Sequence, residues 1–175
     1  MKRLLIIHAG QPGGATAALV AAARDGAREA EPVLEVLVRS ALVASAEDLL
    51  AADGYLFASP ERFGYMAGEL KLFFDRNFYR VMADHDPNVG GGEQSRIAGR
   101  PYALLVCAGS DGTGAAQAIG RIVTGWRLKP VAEPLIARRR GGMAGTLRGE
   151  LEPQDLTRAA ELGAALAMGL SLGLW

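Results

Sequence analysis

The sequence predicts one α/β domain carrying a five-stranded parallel sheet. Two observations support this. Residues 4–8, 55–58 and 103–107 are unbroken apolar runs of strand length, as expected of strands covered on both faces. Helix-like stretches separate the runs, and strand–helix–strand alternation implies right-handed crossovers and parallel pairing.

The elements follow in order. Residues 33–39 alternate, with Leu34, Val36 and Val38 set against Glu35, Leu37 and Arg39. One face is partly polar, as on an edge strand. Residues 131–137 form a weaker fifth strand interrupted by Pro134, which is tolerated at an edge. The strand order 2-1-3-4-5 follows. Residues 15–28 are alanine-rich and helix-forming. Residues 66–82 place Met66, Leu70, Phe73, Phe74, Phe78 and Val81 on one helical face. Residues 113–125 and 153–170 complete the alternation, with Glu152 and Asp155 near the start of the last helix, where the dipole favours acids. Residues 84–99, which include Gly90-Gly91-Gly92, are the longest irregular stretch.

The bulk numbers narrow the class. The chain has 175 residues, 50% hydrophobic and 22% charged, enough for one domain with a real core. Lys plus Arg equals Asp plus Glu at 19 each, which gives no support to a nucleic-acid or anionic-membrane partner. It also departs from the acidic surface of a small electron carrier. Cys107 is the one cysteine, so no intrachain disulfide forms, and a reducing, cytoplasmic location is expected. The basic start stops being apolar at His8, too early for a signal peptide. The apolar end is interrupted by glycines and preceded by Glu161, which argues against membrane insertion.

Three glycine-bearing turns follow the apolar runs. The first holds Gly10, Gln11, Gly13, Gly14, Ala15 and Thr16. The second holds Ser59, Pro60, Glu61, Arg62, Phe63 and Gly64. The third holds Ala108, Gly109, Ser110, Gly112, Thr113 and Gly114. In a parallel sheet all strand-to-helix turns lie on the carboxyl edge and meet at one crevice. Glycine lets backbone N–H groups approach a ligand, and a helix N-terminus behind such a turn favours an anion. Together they read as a site for a phosphorylated cofactor. No Gly-Lys-Ser/Thr is present, which excludes a nucleoside-triphosphate loop, and the G-x-G-x-x-G dinucleotide fingerprint is absent. The third turn comes near the G-x-S-x-G nucleophile elbow, but both histidines, His8 and His85, precede Ser110. The hydrolase order of serine, acid, histidine therefore fails. Asp84-His85-Asp86 and Arg138-Arg139-Arg140 read as solvated charge runs, the latter also suited to a 2′-phosphate or a neighbouring subunit. Trp126, Phe73, Phe74 and Phe78 read as core or interface, and Trp175 as a candidate dimer contact.

The stretch from Asp53-Gly54 through Ser59-Pro60, Gly64, Gly68 and Lys71 to Asp75-Arg76 resembles the flavodoxin-like NAD(P)H-dependent oxidoreductases. There a D-G-x-x-x-x-S-P-x-x-x-G-x-x-x-G-x-x-K-x-x-x-D-R pattern carries the flavin ring loop. Gly99-Arg100-Pro101 and Gly109-Ser110 extend the likeness. The resemblance implies a three-layer flavodoxin-like sandwich, FMN as cofactor, NAD(P)H as co-substrate and a quinone, flavin or similar small acceptor. A homodimer or homotetramer is implied as well. The second turn would hold the isoalloxazine edge, with Phe63 near the ring; the third would close the other side; the first would hold the phosphate. No side chain need act as acid or base, because flavin N5 carries the hydride. The chain departs from the family at Ala9, where a serine is usual, at Glu61-Arg62, where Thr-Tyr is frequent, and at Tyr65, where Asn is frequent. Ala9, Glu61 and Arg62 motivate one alternative, a binding or assembly module that has lost FMN; a second, a one-electron carrier, is disfavoured by the neutral charge balance.

Overall fold

Successive residues of one strand point to opposite faces of a sheet, and here both faces are apolar. In strand β1 (Arg3–His8), Leu4 and Ile6 pack into one core while Leu5 and Ile7 pack into the other. The computed structural model describes residues 1–82, 95–139 and 151–175. Asp84-His85-Asp86, the Gly90–92 run and Arg140 lie outside the described residues.

Strands β3 (Gly54–Arg62) and β5 (Pro101–Ala108) flank the centre with β1, all mutually parallel. Strand β2 (Glu35–Ser40) is one edge. The far edge is split into β6 (Lys129–Pro130) and β7 (Leu135–Arg138), both pairing with β5. The continuous fifth strand expected over 131–137 is therefore corrected to two pieces. Pro130 and Pro134 bracket the gap, and neither can donate a ladder hydrogen bond. In lanes, the order is the expected 2-1-3-4-5, with β6 and β7 sharing the fifth.

The third strand also differs. Its ladder does not stop at Ala58; it runs to Arg62 and folds back through Phe63-Gly64 onto β4 (Tyr65–Met66). Both turn residues have positive φ, 53° and 71°, the backbone of a two-residue hairpin whose twist matches its strands. Phe-Gly lacks the usual Asn-Gly signal, so the sequence reads as a loop. Met66 consequently belongs to the hairpin, and the helix after it starts later.

Helices α1 (Ala15–Ala30) and α5 (Pro153–Leu172) cover one face of the sheet. Helices α2 (Ala46–Ala51), α3 (Gly68–Val81) and α4 (Thr113–Gly125) cover the other. The result is the expected three-layer sandwich. Helix α2 was not anticipated: six residues are too short for periodicity, although Ser45 and Asp48 form a reciprocal capping box. Arg100 caps its other end, donating to the carbonyls of Leu49, Leu50 and Ala52. On α3, Asn77 takes the buried position and bonds the Phe73 carbonyl, while Phe78 is exposed. Phe73, Phe74 and Trp126 interlock edge to face. The Trp175 indole folds back over Gly169 of its own helix.

Helices α1 and α5 meet through their main chains. A Cβ at Gly163 would lie 1.9 Å from the Ala23 carbonyl oxygen, and one at Gly26 would lie 2.2 Å from that of Ala160. Alanine normally gains about 1 kcal/mol over glycine inside a helix. Here Gly163→Ala is expected to destabilise the fold by about 1–3 kcal/mol through overpacking, read from urea unfolding midpoints at unchanged slope.

Candidate functional site

The three central strands leave the sheet at the same edge but at different heights, β1 ending at His8 while β3 and β5 run on to Arg62 and Ala108. His8 aligns with Ala58, and Pro60 with Cys107. The segments beyond them therefore meet along the carboxyl edge of the sheet.

The first turn leaves β1 at His8 and enters α1 at Ala15. The Gly14 amide donates to the Gln11 carbonyl at 3.0 Å, and Gly13 adopts φ 72°. Gly14 is the N-cap and supplies no side-chain cap. The N–H groups of Ala15, Thr16 and Ala17 consequently have no acceptor among the described residues, which leaves the positive end of α1 open to an anion. Thr16 is buried, and burial pushes the Cys107 thiol up. His8 Nδ1 accepts the Gly10 N–H at 3.1 Å, so the proton of the neutral ring sits on Nε2. Burial holds this imidazole below its ordinary value, against the opposing charge of Glu69. Ala9 is buried, its N–H bonded to the Ala58 carbonyl.

The second segment is the β3–β4 hairpin. Ser59 is fully buried. Its hydroxyl donates to the Pro60 carbonyl and accepts the Ala67 N–H, both at 2.9 Å, and so clasps the hairpin base. Pro60 is buried as well. Glu61, Arg62, Phe63 and Gly64 project beyond the sheet, and Phe63, at the tip, is fully exposed.

The third segment reaches toward the hairpin. Ala108 is buried at the strand end; Gly109 and Ser110 are exposed; Gly112, with φ 73°, is the N-cap of α4, which opens with Thr113 and Gly114. A Cβ at Gly114 would lie 2.1 Å from the Gly64 carbonyl oxygen, so only glycine permits this approach. Glu61 bridges the two segments. One carboxylate oxygen accepts the Gly109 and Ser110 N–H groups at 3.1 and 2.8 Å. The other accepts the Ser110 hydroxyl at 2.7 Å and the Gly112 N–H at 3.3 Å. Partial burial raises the Glu61 carboxyl, but these hydrogen bonds outweigh it and leave the group below its ordinary value. Asp111 instead turns to the Thr113 N–H and hydroxyl.

The structure thus joins the second and third segments directly and sets the first on the strand beside them. The bond between Glu61 and the Gly109–Gly112 amides was missed by sequence reading. An acid at the end of one sheet-edge segment and a glycine-rich turn on the adjacent strand are its only trace. Arg39 pairs with Asp48 across 3.7 Å. Ser110 bonds Glu61 and, among the described residues, no histidine. Among the described residues no group of acids, histidines and Cys107 is arranged to hold a metal, and no helix is long and apolar enough to cross a membrane.

The open α1 terminus suits a phosphate, and amides that already converge on a carboxylate suit the carbonyl oxygens of a flavin's pyrimidine edge. The residues present therefore fit FMN.

Fold and crevice define a flavodoxin-like protein. The model of the NADPH-dependent FMN reductase family matches residues 2–137, and the chain belongs to that family. A probable NAD(P)H dehydrogenase (quinone), FQR1-like 2, of Arabidopsis thaliana is 35% identical over 71 residues. That alignment covers 40% of this chain and 22% of the relative's length. Among solved structures, a flavone reductase superposes with TM-score 0.73 at 18% identity, covering 97% of this chain and 63% of that one. A WrbA-like flavodoxin of Agrobacterium tumefaciens gives 0.68 at 14% identity, covering 98% and 99%. An archaeal flavodoxin gives 0.69 at 14%, covering 97% and 99%. At such identities these structures establish the fold alone.

The His8 geometry carries a pH signature. A histidine whose folded value lies below 6.5 binds its proton more readily when unfolded. The ligand-free protein is expected to lose stability as pH falls from 7 toward 5, and His8→Gln should flatten that dependence. NMR titration should show the His8 ring protonating below 6.5.

Proposed function

We propose that the chain is an NAD(P)H-dependent FMN oxidoreductase serving a quinone, flavin or similar small acceptor. Bound FMN would supply the redox chemistry, relaying a hydride from the nicotinamide to the acceptor. The protein's own part is to hold and orient.

The single observation that carries this reading is the open amide end of α1 at the first turn, on the same sheet edge as two segments able to flank a planar ring. Gly10, Gln11, Gly13, Gly14, Ala15 and Thr16 would seat the phosphate, chiefly through the main-chain N–H groups left open at the start of α1. Pro60 to Gly64 would hold one side of the ring, with Ser59 fixing the hairpin from beneath. Ala108, Gly109, Ser110, Gly112, Thr113 and Gly114 would line the other. Arg62 and Arg138 are exposed and would draw in an anionic nicotinamide cofactor. Exposed Leu72 and Tyr79 on α3 support a homodimer or homotetramer. Glu61, already seated on the third-turn amides, favours a second reading, a flavodoxin-like module without FMN.

A flavin titration followed by a nucleotide oxidation assay separates these readings and the one-electron carrier. The protein should quench FMN fluorescence at micromolar concentration and oxidise NADH or NADPH in the presence of a quinone. A protein indifferent to FMN is the module; one that binds FMN but oxidises neither nucleotide is the carrier. Phe63, fully exposed, contributes no core packing. Phe63→Ala should leave the melting temperature unchanged yet weaken FMN binding about two- to tenfold, the worth of one aromatic contact of about 0.5–1.5 kcal/mol.

A further inference from the structure

Glu61 is an anion sitting where a ligand's acceptors are expected. Its two oxygens take three main-chain N–H groups and one hydroxyl from the β5–α4 turn. No cation pairs with it among the described residues; the donors to it there are these amides and the Ser110 hydroxyl. Both sides of the contact are near the surface: Gly109 and Ser110 are exposed, and the hairpin tip beyond Glu61 is open to solvent. The other acid of the turn, Asp111, is already bound to Thr113 and does not compete.

We propose that Glu61 is an internal latch, its carboxylate holding the Gly109, Ser110 and Gly112 amides that the pyrimidine edge of FMN would use, so that flavin enters the crevice only by displacing it. This rests on the FMN reading above. The physical reason is unequal acceptor strength. A carboxylate forms hydrogen bonds roughly twice as strong as a neutral carbonyl does. Flavin carbonyl oxygens therefore do not win these amides without compensation from the phosphate and ring contacts. The latch lowers affinity for the cofactor and, with no flavin present, ties the β3–β4 hairpin to the β5–α4 turn. A carboxylate left beside the ring would be a different arrangement, and the same experiment tells them apart.

FMN dissociation constants for the wild type, Glu61→Ala and Glu61→Gln are read from flavin fluorescence quenching. Near-ultraviolet circular dichroism verifies that each variant is folded. Glu61→Ala is expected to bind FMN about tenfold more tightly, which is about 1.4 kcal/mol, with Glu61→Gln intermediate. A second readout needs no flavin. Formate titrated into Glu61→Ala should shift the amide resonances of Gly109, Ser110 and Gly112, and should leave those of the wild type in place. Equal or weaker FMN binding by Glu61→Ala overturns the latch and leaves the flavin reading intact. Amides of Glu61→Ala that ignore formate also overturn it. FMN bound by none of the three proteins overturns the functional reading and the latch with it.

Discussion

Three parallel strands, buried on both faces and opening onto one edge, are the constraint on which everything else rests. Parallel pairing fixes β1, β3 and β5 side by side, and each must hand the chain to a covering element at the same edge. The turns meet there because the sheet leaves them nowhere else to go. Chemistry at that edge then depends on what the backbone presents, and it presents N–H groups: an uncapped helix start at one turn and a converging set of amides at another. Membership of the FMN reductase family is in keeping with a crevice of that kind.

Glycine sets the distances within this frame. At Gly114 the absence of a side chain lets the hairpin approach α4; at Gly26 and Gly163 it lets α1 and α5 touch through their backbones. The second contact matters for the first turn, because α1 carries that turn at its start. A helix seated on another helix's carbonyls has little freedom to slide.

Much of this was legible in the sequence, and the rest failed for identifiable reasons. Buried lanes announce themselves as apolar runs, so the strand order and the three turns could be read directly. The hairpin could not, because Phe63 adopts a left-handed backbone that aromatic residues rarely take. Helix α2 is shorter than two turns, and only its Ser45–Asp48 box marks it. Proline in the fifth strand is visible in the sequence, but its effect exceeds weakening: the strand is divided in two. Asn77 displaced Phe78 from the buried face because an amide that bonds the preceding turn can be buried without penalty. At the candidate site the glycines and the family-like stretch could be seen, but the partner of Glu61 could not. That bond spans about fifty positions, and no local pattern encodes it.

The α1–α5 contact has a consequence for how the crevice works. On one side α1 is held against α5, backbone to backbone, which limits how far it can shift. On the other side is a short ribbon that ends in solvent and is tethered to the next turn by the Glu61 carboxylate. Sequence change can therefore reshape the ribbon without disturbing the α1–α5 contact.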